Sequence, residues 1–449
     1  MHTSSRTLAF IRDHRERRDE DVRDLALHSH DPRIDMPWAL DQIAGWRMAK
    51  TKLPQWATCE GIVYPPHLAL EQCSSQITAE YKARLLQRLI NGPSGAGGSA
   101  GNDKAPDVLV DLTGGFGVDC SYMVRVFDSA VYVERQEGLC EIAEHNFAAL
   151  GLADRIRVVH DDAERYLAQM KPVSAVFIDP ARRDAHGART YAIADCTPDV
   201  LTMQGELLRK AAFVVVKLSP MLDWRKAVED FGGTVREVHI VAAGNECKEL
   251  LLVLSQVRQS GERLQIVCVN DDQRFAYVAQ GGGAGGCGYA VDNVDGNAVD
   301  NNAVDGNTVD NNAESLAVEN ERQKEADSAW QFLYEPNAAL MKAGCFALIE
   351  RRFGVRQIAP NSHLFVTEEP VADFPGRRFR IVSTMTMSKR ALKVGLAGLK
   401  QANITVRNFP LAVSQLRKRL KLRDGGDAYL FATTDSSGAH IIIRAEKAG

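Results

Sequence analysis

Two short stretches carry the residues able to do chemistry. The first is Asp111-Leu-Thr113-Gly114-Gly115-Phe-Gly117-Val-Asp119, entered from the apolar run Val108-Leu109-Val110 and left by a helical pattern (Tyr122, Met123, Val126, Phe127). A buried strand, a glycine turn and a helix form the phosphate- or nucleotide-binding edge of a doubly wound α/β sheet. Glycines at 114, 115 and 117 let the backbone turn sharply and approach a ligand with no Cβ in the way. The next apolar run, Ala130 to Val133, ends in Glu134, about 20 residues on, where an acid can grip ribose hydroxyls. The second stretch is Asp179-Pro180-Ala181-Arg182-Arg183, at the carboxyl end of the run 174–179, the edge at which ligands and reacting groups meet in an open sheet. The plain alternatives are a solvated strand end for Glu134 and a helix cap for Asp179.

The elements that must position these residues alternate from 107 onward. Strands are expected at 107–112, 130–134, 156–160, 174–179, 211–217, 235–243 and 249–257. Helix-length stretches separate the first five, as parallel crossovers require. Only Gly244 to Lys248 joins the last two, which predicts an antiparallel hairpin. Upstream, residues 1–91 read as a helical N-terminal region, with a helix capped by Ser74-Ser75 that runs through Tyr81, Leu85, Leu86 and Ile90. Residues 92–106 read as a Gly/Ser/Ala-rich linker. The α/β domain spans 107–258.

Residues 259–364 are expected to form a small α+β domain interrupted by a low-complexity insertion at 279–328. There Val-Asp-Asn-Asn-Ala recurs at 299 and 309, and Val-Asp-Gly-Asn at 294 and 304. The insertion reads as disordered, since calcium-loop spacings are absent. Residues 365–449 form a last domain, with strands at 379–383, 404–406, 429–432 and 440–444 and helices at 389–401 and 412–422.

The two stretches resemble the class I S-adenosylmethionine-dependent methyltransferases. Asp111, Thr113, Gly114, Gly115 and Gly117 match their glycine loop, Glu134 their ribose-binding acid, and Asp161-Asp162 the acidic position near the adenine. A loop pair is the plain alternative for the last two. Asp179-Pro180 matches the start of their Asp/Asn-Pro-Pro-x catalytic motif. Pro65-Pro66, Glu71 to Ser75, Lys217-Leu-Ser-Pro220, Asn245 to Glu249 and Tyr334-Glu-Pro-Asn337 extend the resemblance to a bacterial methyltransferase family. That family carries a ferredoxin-like domain and a C-terminal THUMP-like domain. The resemblance implies a Rossmann-like seven-stranded core, S-adenosylmethionine as cofactor, and methylation of a base in RNA, tRNA or rRNA.

Within that resemblance, Asp179 accepts a hydrogen bond from a substrate amine and Pro180 fixes the backbone so that neighbouring carbonyls point into the site. Ala181 stands in place of the second proline and Arg182 in place of a stacking aromatic, a departure that argues against adenine N6. Arg182 and Arg183 suit a phosphate or a guanine edge instead. Cys196 and Cys247 are candidates for a pyrimidine-C5 nucleophile, although no spacing favours them over buried structural thiols.

Composition bounds the partners. The 449 residues are 45% hydrophobic and 25% charged, ordinary for a globular protein. The net charge of −4 conceals thirteen Lys/Arg and no Asp or Glu between Arg377 and Arg423. Such a field gathers phosphates, so Arg377, Arg378, Lys389, Arg390, Arg417, Lys418, Arg419 and Lys421 are the expected RNA contacts. Nine cysteines without C-x-x-C spacing argue against a zinc ribbon or a disulfide framework, and no metal is expected. The first thirty residues hold no signal-peptide core and no 18-residue apolar run exists, so a cytoplasmic protein without a membrane span is expected. Two competitors remain: a nicotinamide-dependent oxidoreductase, which the glycines and Glu134 also suit, and a non-catalytic RNA-binding protein. Cys120 stands where the dinucleotide fingerprint needs its third glycine.

Overall fold

A computed structural model of the chain describes residues 4–17, 31–92, 106–182, 193–256, 263–280 and 330–448, with Val22, Asp24 and Leu25. Positions 93–105 of the expected linker, 281–328 of the expected insertion, and Arg183 lie outside the described residues. The chain divides into two compact units, one of residues 1–243 and 248–265, the other of 244–247 and 266–449.

In the first unit, helices α1 (Ser5–Arg15), α2 (Met36–Lys52), α3 (Pro54–Thr58), α4 (His67–Gln72) and α5 (Gln76–Asn91) precede the sheet. Ser75 caps α5, its side chain accepting from Thr78 N, within the Ser74-Ser75 pair at which the sequence places the cap. Strands and helices then alternate: β1 (Val108–Asp111), α6 (Val118–Met123), β2 (Ser129–Glu134), α7 (Glu137–Ala149), β3 (Ile156–His160), α8 (Ala163–Gln169), β4 (Val173–Ile178), α9 (Val200–Lys210), β5 (Ala211–Leu218), α10 (Trp224–Asp230), β6 (Val235–Ala243) and β7 (Glu246–Leu254).

Their order in the sheet is β3-β2-β1-β4-β5-β7-β6. β1 pairs in parallel with β2 and β4, β2 with β3, and β4 with β5. β7 runs antiparallel to β5, Val214 opposite Leu254 and Leu218 opposite Leu250. The turn between β6 and β7 is Gly244-Asn245, both at positive φ, as a two-residue hairpin turn demands. Order reverses between β1 and β4, so the carboxyl ends of those strands open a crevice there.

Apolar faces on both sides hold this sheet. Leu109, Tyr132, Phe147, Phe177, Val215 and Leu251 belong to one buried cluster, each side chain contributing about 1.5–3 kcal/mol by leaving water. On the glycine-turn side, Trp46, Trp56 and Tyr64 of the helical N-terminal region pack against Phe116 and Tyr122. Residues 4–91 are therefore part of the same compact unit as the sheet.

Helix α5 is also fastened to β6 by polar groups. Tyr81 Oη lies 2.7 Å from His239 Nδ1, and His239 Nε2 lies 2.9 Å from Glu237 Oε2. Arg88 donates to both oxygens of Glu237. Glu237 is buried, and burial alone would raise its carboxyl. The hydrogen bonds from His239 and Arg88 outweigh this and hold it at about 2, below the ordinary 4.5. A depressed folded-state value stabilises above the unfolded one, so this contribution is full above pH 4.5 and is lost as pH falls toward 2. Glu237→Gln is expected to lower stability at pH 7 by about 1–3 kcal/mol and to flatten its acid dependence between those limits. Urea unfolding of both proteins across that range checks this; parallel profiles would refute it.

β8 (Arg263–Asn270), which begins in the first unit and continues into the second at Ile266, neighbours β9 (Gln273–Gln280). A separate seven-stranded sheet uses β10 (Phe332–Pro336), β11 (Arg356–Gln357), β12 (Phe365–Thr367), β13 (Gly376–Thr386), β14 (Asn403–Val406), β15 (Ala428–Thr434) and β16 (His440–Lys447). Helices α11 (Ala338–Ala343), α12 (Phe346–Phe353), α13 (Lys389–Gly395) and α14 (Val413–Leu420) accompany it. The order is β11-β12-β10-β13-β16-β15-β14, with only β14 and β15 parallel among its paired strands. The sequence expected residues 259–364, on both sides of the insertion, to form one small domain. Instead β8 pairs with β9, which the sequence reading missed, and β10 enters the sheet of the C-terminal strands. The expected helix 389–401 ends at Gly395, near Gly398 at φ +80°, a conformation that side-chain-bearing residues rarely adopt.

No helix among the described residues is long and apolar enough to cross a membrane.

Candidate active site

A cavity of about 790 Å³ opens at the carboxyl ends of the first unit's parallel strands. The glycine turn, Glu134, Asp161, Asp162, Asp179, Pro180 and Lys217 line it. Close packing forces the glycines here. A Cβ on Gly114 would fall 2.1 Å from the Tyr132 ring, and one on Gly117, at φ +84°, 2.9 Å from Phe147. Gly115 adopts φ +55°.

Glu134 ties this turn to β2. Its Oε2 accepts from Gly115 N at 2.9 Å and its Oε1 from Gln136 N at 2.8 Å. Tyr132 Oη donates to Gly115 O, closing the turn from the other side. Asp111 is buried at the end of β1. One of its oxygens accepts from Thr113 N at 3.1 Å, and Oδ2 has no partner among the described residues. Burial pushes its carboxyl well above the usual range. Thr113 in turn accepts from Asp179 N at 2.6 Å, which joins the ends of β1 and β4.

Asp161 accepts from Asp162 N at 2.9 Å and from Gln169 Nε2 at 3.1 Å, while Asp162 caps α8 through Glu164 N at 3.1 Å. Both face the cavity. Pro180 is buried in the wall. Arg182 lies in a two-residue strand whose backbone pairs with Cys196; its side chain lies outside the described residues.

Beside Asp179 runs a buried chain of charges that sequence reasoning did not assemble. Lys217 Nζ is 2.6 Å from Asp179 Oδ2 and 3.7 Å from Asp119 Oδ2. Ser74 donates to Asp119 at 2.7 Å. Lys82, fully buried on α5, lies 3.2 Å from Asp119 and donates to both oxygens of Glu249 at 2.7 Å. Burial alone would lower the Lys217 ammonium, but Asp179, Asp119 and Glu249 reverse this and raise it. The signal for Lys82 was its place on the apolar face of α5, with Ala79, Ala83 and Leu86 at helical spacing.

The candidate thiols are separated by the fold. Cys196 and the unpredicted Cys73 line the cavity. Cys73 donates to Leu70 O at 3.1 Å and burial pushes its thiol up to about 11. Cys247, in the second unit, donates to Ala338 O at 3.2 Å, and burial raises it too. No group of three or more His, Cys, Asp or Glu able to hold a metal occurs among the described residues.

In the second unit the expected RNA-contacting cations divide into two sets. Buried Glu335 pairs with Arg377 and Arg407. Arg378 donates to Ala372 O, and Arg417 to Ala402 O at 3.0 Å and Asp424 at 2.6 Å. Lys389, Arg390, Lys418, Arg419 and Lys421 are exposed, with no side-chain ion pair among the described residues.

Because the Tyr132 ring is buried and bonded, it cannot yield to a new methyl group. Gly114→Ala is therefore expected to cost about 1–3 kcal/mol, read as a lower urea midpoint; an unchanged midpoint would show that the turn can relax.

Comparison with known proteins agrees with this architecture. Residues 332–375 match the family model of a ferredoxin-like domain, and residues 376–447 that of a THUMP-like domain. No curated protein matches. A Porphyromonas gingivalis W83 crystal structure, described as a "putative methyltransferase", is 29% identical, covers 100% of both chains and superposes with a TM-score of 0.74. Other similar structures cover less of this chain. A Geobacter sulfurreducens methyltransferase is 16% identical over 41% of this chain and 81% of its own, TM-score 0.30. A Streptococcus thermophilus rRNA methylase is 13% identical over 39% and 93%, TM-score 0.28. The chain thus joins a class I methyltransferase fold to a ferredoxin-like domain and a C-terminal THUMP-like domain.

Proposed function

We propose that the first unit binds S-adenosylmethionine and that the protein methylates a base in RNA. The observation that carries this reading is the pairing of Glu134 with the glycine turn beside a buried Asp111 oxygen that lacks a donor. A carboxyl at such a position calls for a ligand amine or hydroxyl, and a turn of glycines lining the cavity presents its backbone to a ligand with no side chain between. The residues therefore fit the cofactor. Asp111, Thr113, Gly114, Gly115 and Gly117 would hold its amino-acid end, Glu134 its ribose, and Asp161 and Asp162 its adenine side.

When bound, S-adenosylmethionine supplies an electrophilic methyl group on a sulfonium. The chain's own part is alignment and charge. Asp179, held through its N–H by Thr113 and through Oδ2 by Lys217, keeps Oδ1 for a substrate proton. Pro180 stiffens the wall beside it. The helical N-terminal region closes one side of the cavity through Ala69 and Gln72 to Ser74, which limits water there. The THUMP-like domain and the exposed cations Lys389, Arg390, Lys418, Arg419 and Lys421 support RNA as the partner.

The oxidoreductase reading has the same glycines and acid in its favour. Against it, Cys120 is buried in α6 where a third glycine would stand, and the sheet closes in an antiparallel hairpin. Calorimetric titration of the full chain with S-adenosylmethionine and, separately, NAD(H) tests the two. Saturable binding of the sulfonium alone is expected. Binding of NAD(H) alone would replace this reading with the oxidoreductase, and binding of neither would leave an RNA-binding protein.

A further inference from the structure

Resting on the methyltransferase reading above, we propose that Asp179 and Lys217 together read a lactam edge, a ring N–H beside a carbonyl as in guanine or uracil. The methyl group then goes to that ring nitrogen and not to an exocyclic amine.

The geometry supplies one acceptor and one donor side by side. Both residues line the cavity. Lys217 Nζ sits 2.6 Å from Asp179 Oδ2, which leaves Oδ1 as the carboxylate atom without a partner among the described residues. Of the three N–H groups on Lys217, one points to Asp179 and one toward Asp119; the third can donate to a carbonyl. The pair cannot swing away, because Asp119 is anchored by Ser74 and by Lys82, and Lys82 by Glu249.

Charge decides between acceptors that share this hydrogen-bond pattern. Adenine and cytosine also offer a donor amine beside an acceptor nitrogen. Methylation of a neutral amine places positive charge on the attacked nitrogen, and a neighbouring ammonium opposes that. Donation from Lys217 to the adjacent ring nitrogen would also draw electron density away from the amine. A lactam behaves in the opposite way. As its N–H bond breaks, the proton moves to Asp179 Oδ1 and negative charge spreads onto the carbonyl oxygen, where the ammonium stabilises it. The nitrogen electron pair forms the new N–CH3 bond. The pair from the broken C–S bond remains on sulfur, leaving a neutral thioether, and Asp179 returns its proton to solvent.

The test uses the full chain, methyl-labelled S-adenosylmethionine and total RNA from cells lacking the protein, digested to nucleosides and resolved by mass. Label on a ring nitrogen of guanosine or uridine is expected. Label on an exocyclic amine of adenosine or cytidine would overturn the proposal while the methyltransferase reading stands. No transfer to RNA, with S-adenosylmethionine still bound, would overturn both the RNA substrate and this inference. A second readout needs no turnover: GMP or UMP is expected to bind at least threefold tighter than AMP and CMP, with the preference lost in Lys217→Gln. Equal binding of all four would also count against it. Should Lys217→Gln fail to fold, Asp179→Asn, whose side chain is partly exposed, serves instead. It is expected to bind S-adenosylmethionine as wild type does and to transfer at least tenfold more slowly.

Discussion

Lys82→Met is expected to cost the first unit about 3–5 kcal/mol, the loss that follows when one member of a buried ion pair is removed. Lys82 is fully buried and Glu249 nearly so, and the ammonium also lies 3.2 Å from Asp119. Removing it strands a carboxylate on β7 and weakens the anchor of a second at the start of α6. Domains hold only about 5–15 kcal/mol in total, so the variant sits close to unfolding at ordinary temperature. Lys82→Met with Glu249→Leu should recover much of the loss, because a packed apolar pair avoids the desolvation of both charges. Chemical unfolding of the three proteins checks this. A single variant as stable as wild type would mean that the Lys82 contacts stabilise nothing. The double variant also separates roles: it restores stability but not the electrostatic hold on Asp119 and, through it, Lys217.

Glu134→Ala is expected to weaken S-adenosylmethionine binding at least a hundredfold, about 2.7 kcal/mol. Two losses add. The ribose hydroxyls lose a carboxylate acceptor, and the glycine turn loses the group that accepts from Gly115 N and Gln136 N. A hydrogen bond to a charged group contributes about 1.5–3 kcal/mol, so the turn itself loosens. Glu134→Gln keeps one acceptor oxygen and should fall between the two proteins. Calorimetry gives the affinities, and a parallel melt shows how much of the loss is folding. Undiminished affinity in Glu134→Ala would remove Glu134 from the cofactor site and weaken the functional reading with it.

The sequence by itself determined the sheet. Parallel strands covered on both faces are continuous apolar runs, and those at 107–112, 130–134, 174–179 and 211–217 lie where strands form. The closing hairpin was legible because only Gly244 to Lys248 separates the two apolar runs, too few residues for a crossover. The glycine turn, Glu134 and Asp179 were legible as candidates, since local spacing sets their place on one sheet edge.

Only the tertiary structure decided which charges meet. Lys82 and Glu249 are separated by 167 residues, and Lys217 and Asp179 by 38. Nothing local tells a lysine on an apolar helix face whether a carboxylate waits opposite. The basic stretch shows the same limit: its run of cations is plain in the sequence. Yet Arg377 and Arg407 are paired with Glu335, 42 and 72 residues away. Exposed ammonium groups and neutralised guanidinium groups look identical until the chain is folded, because pairing depends on distance in space and composition carries none.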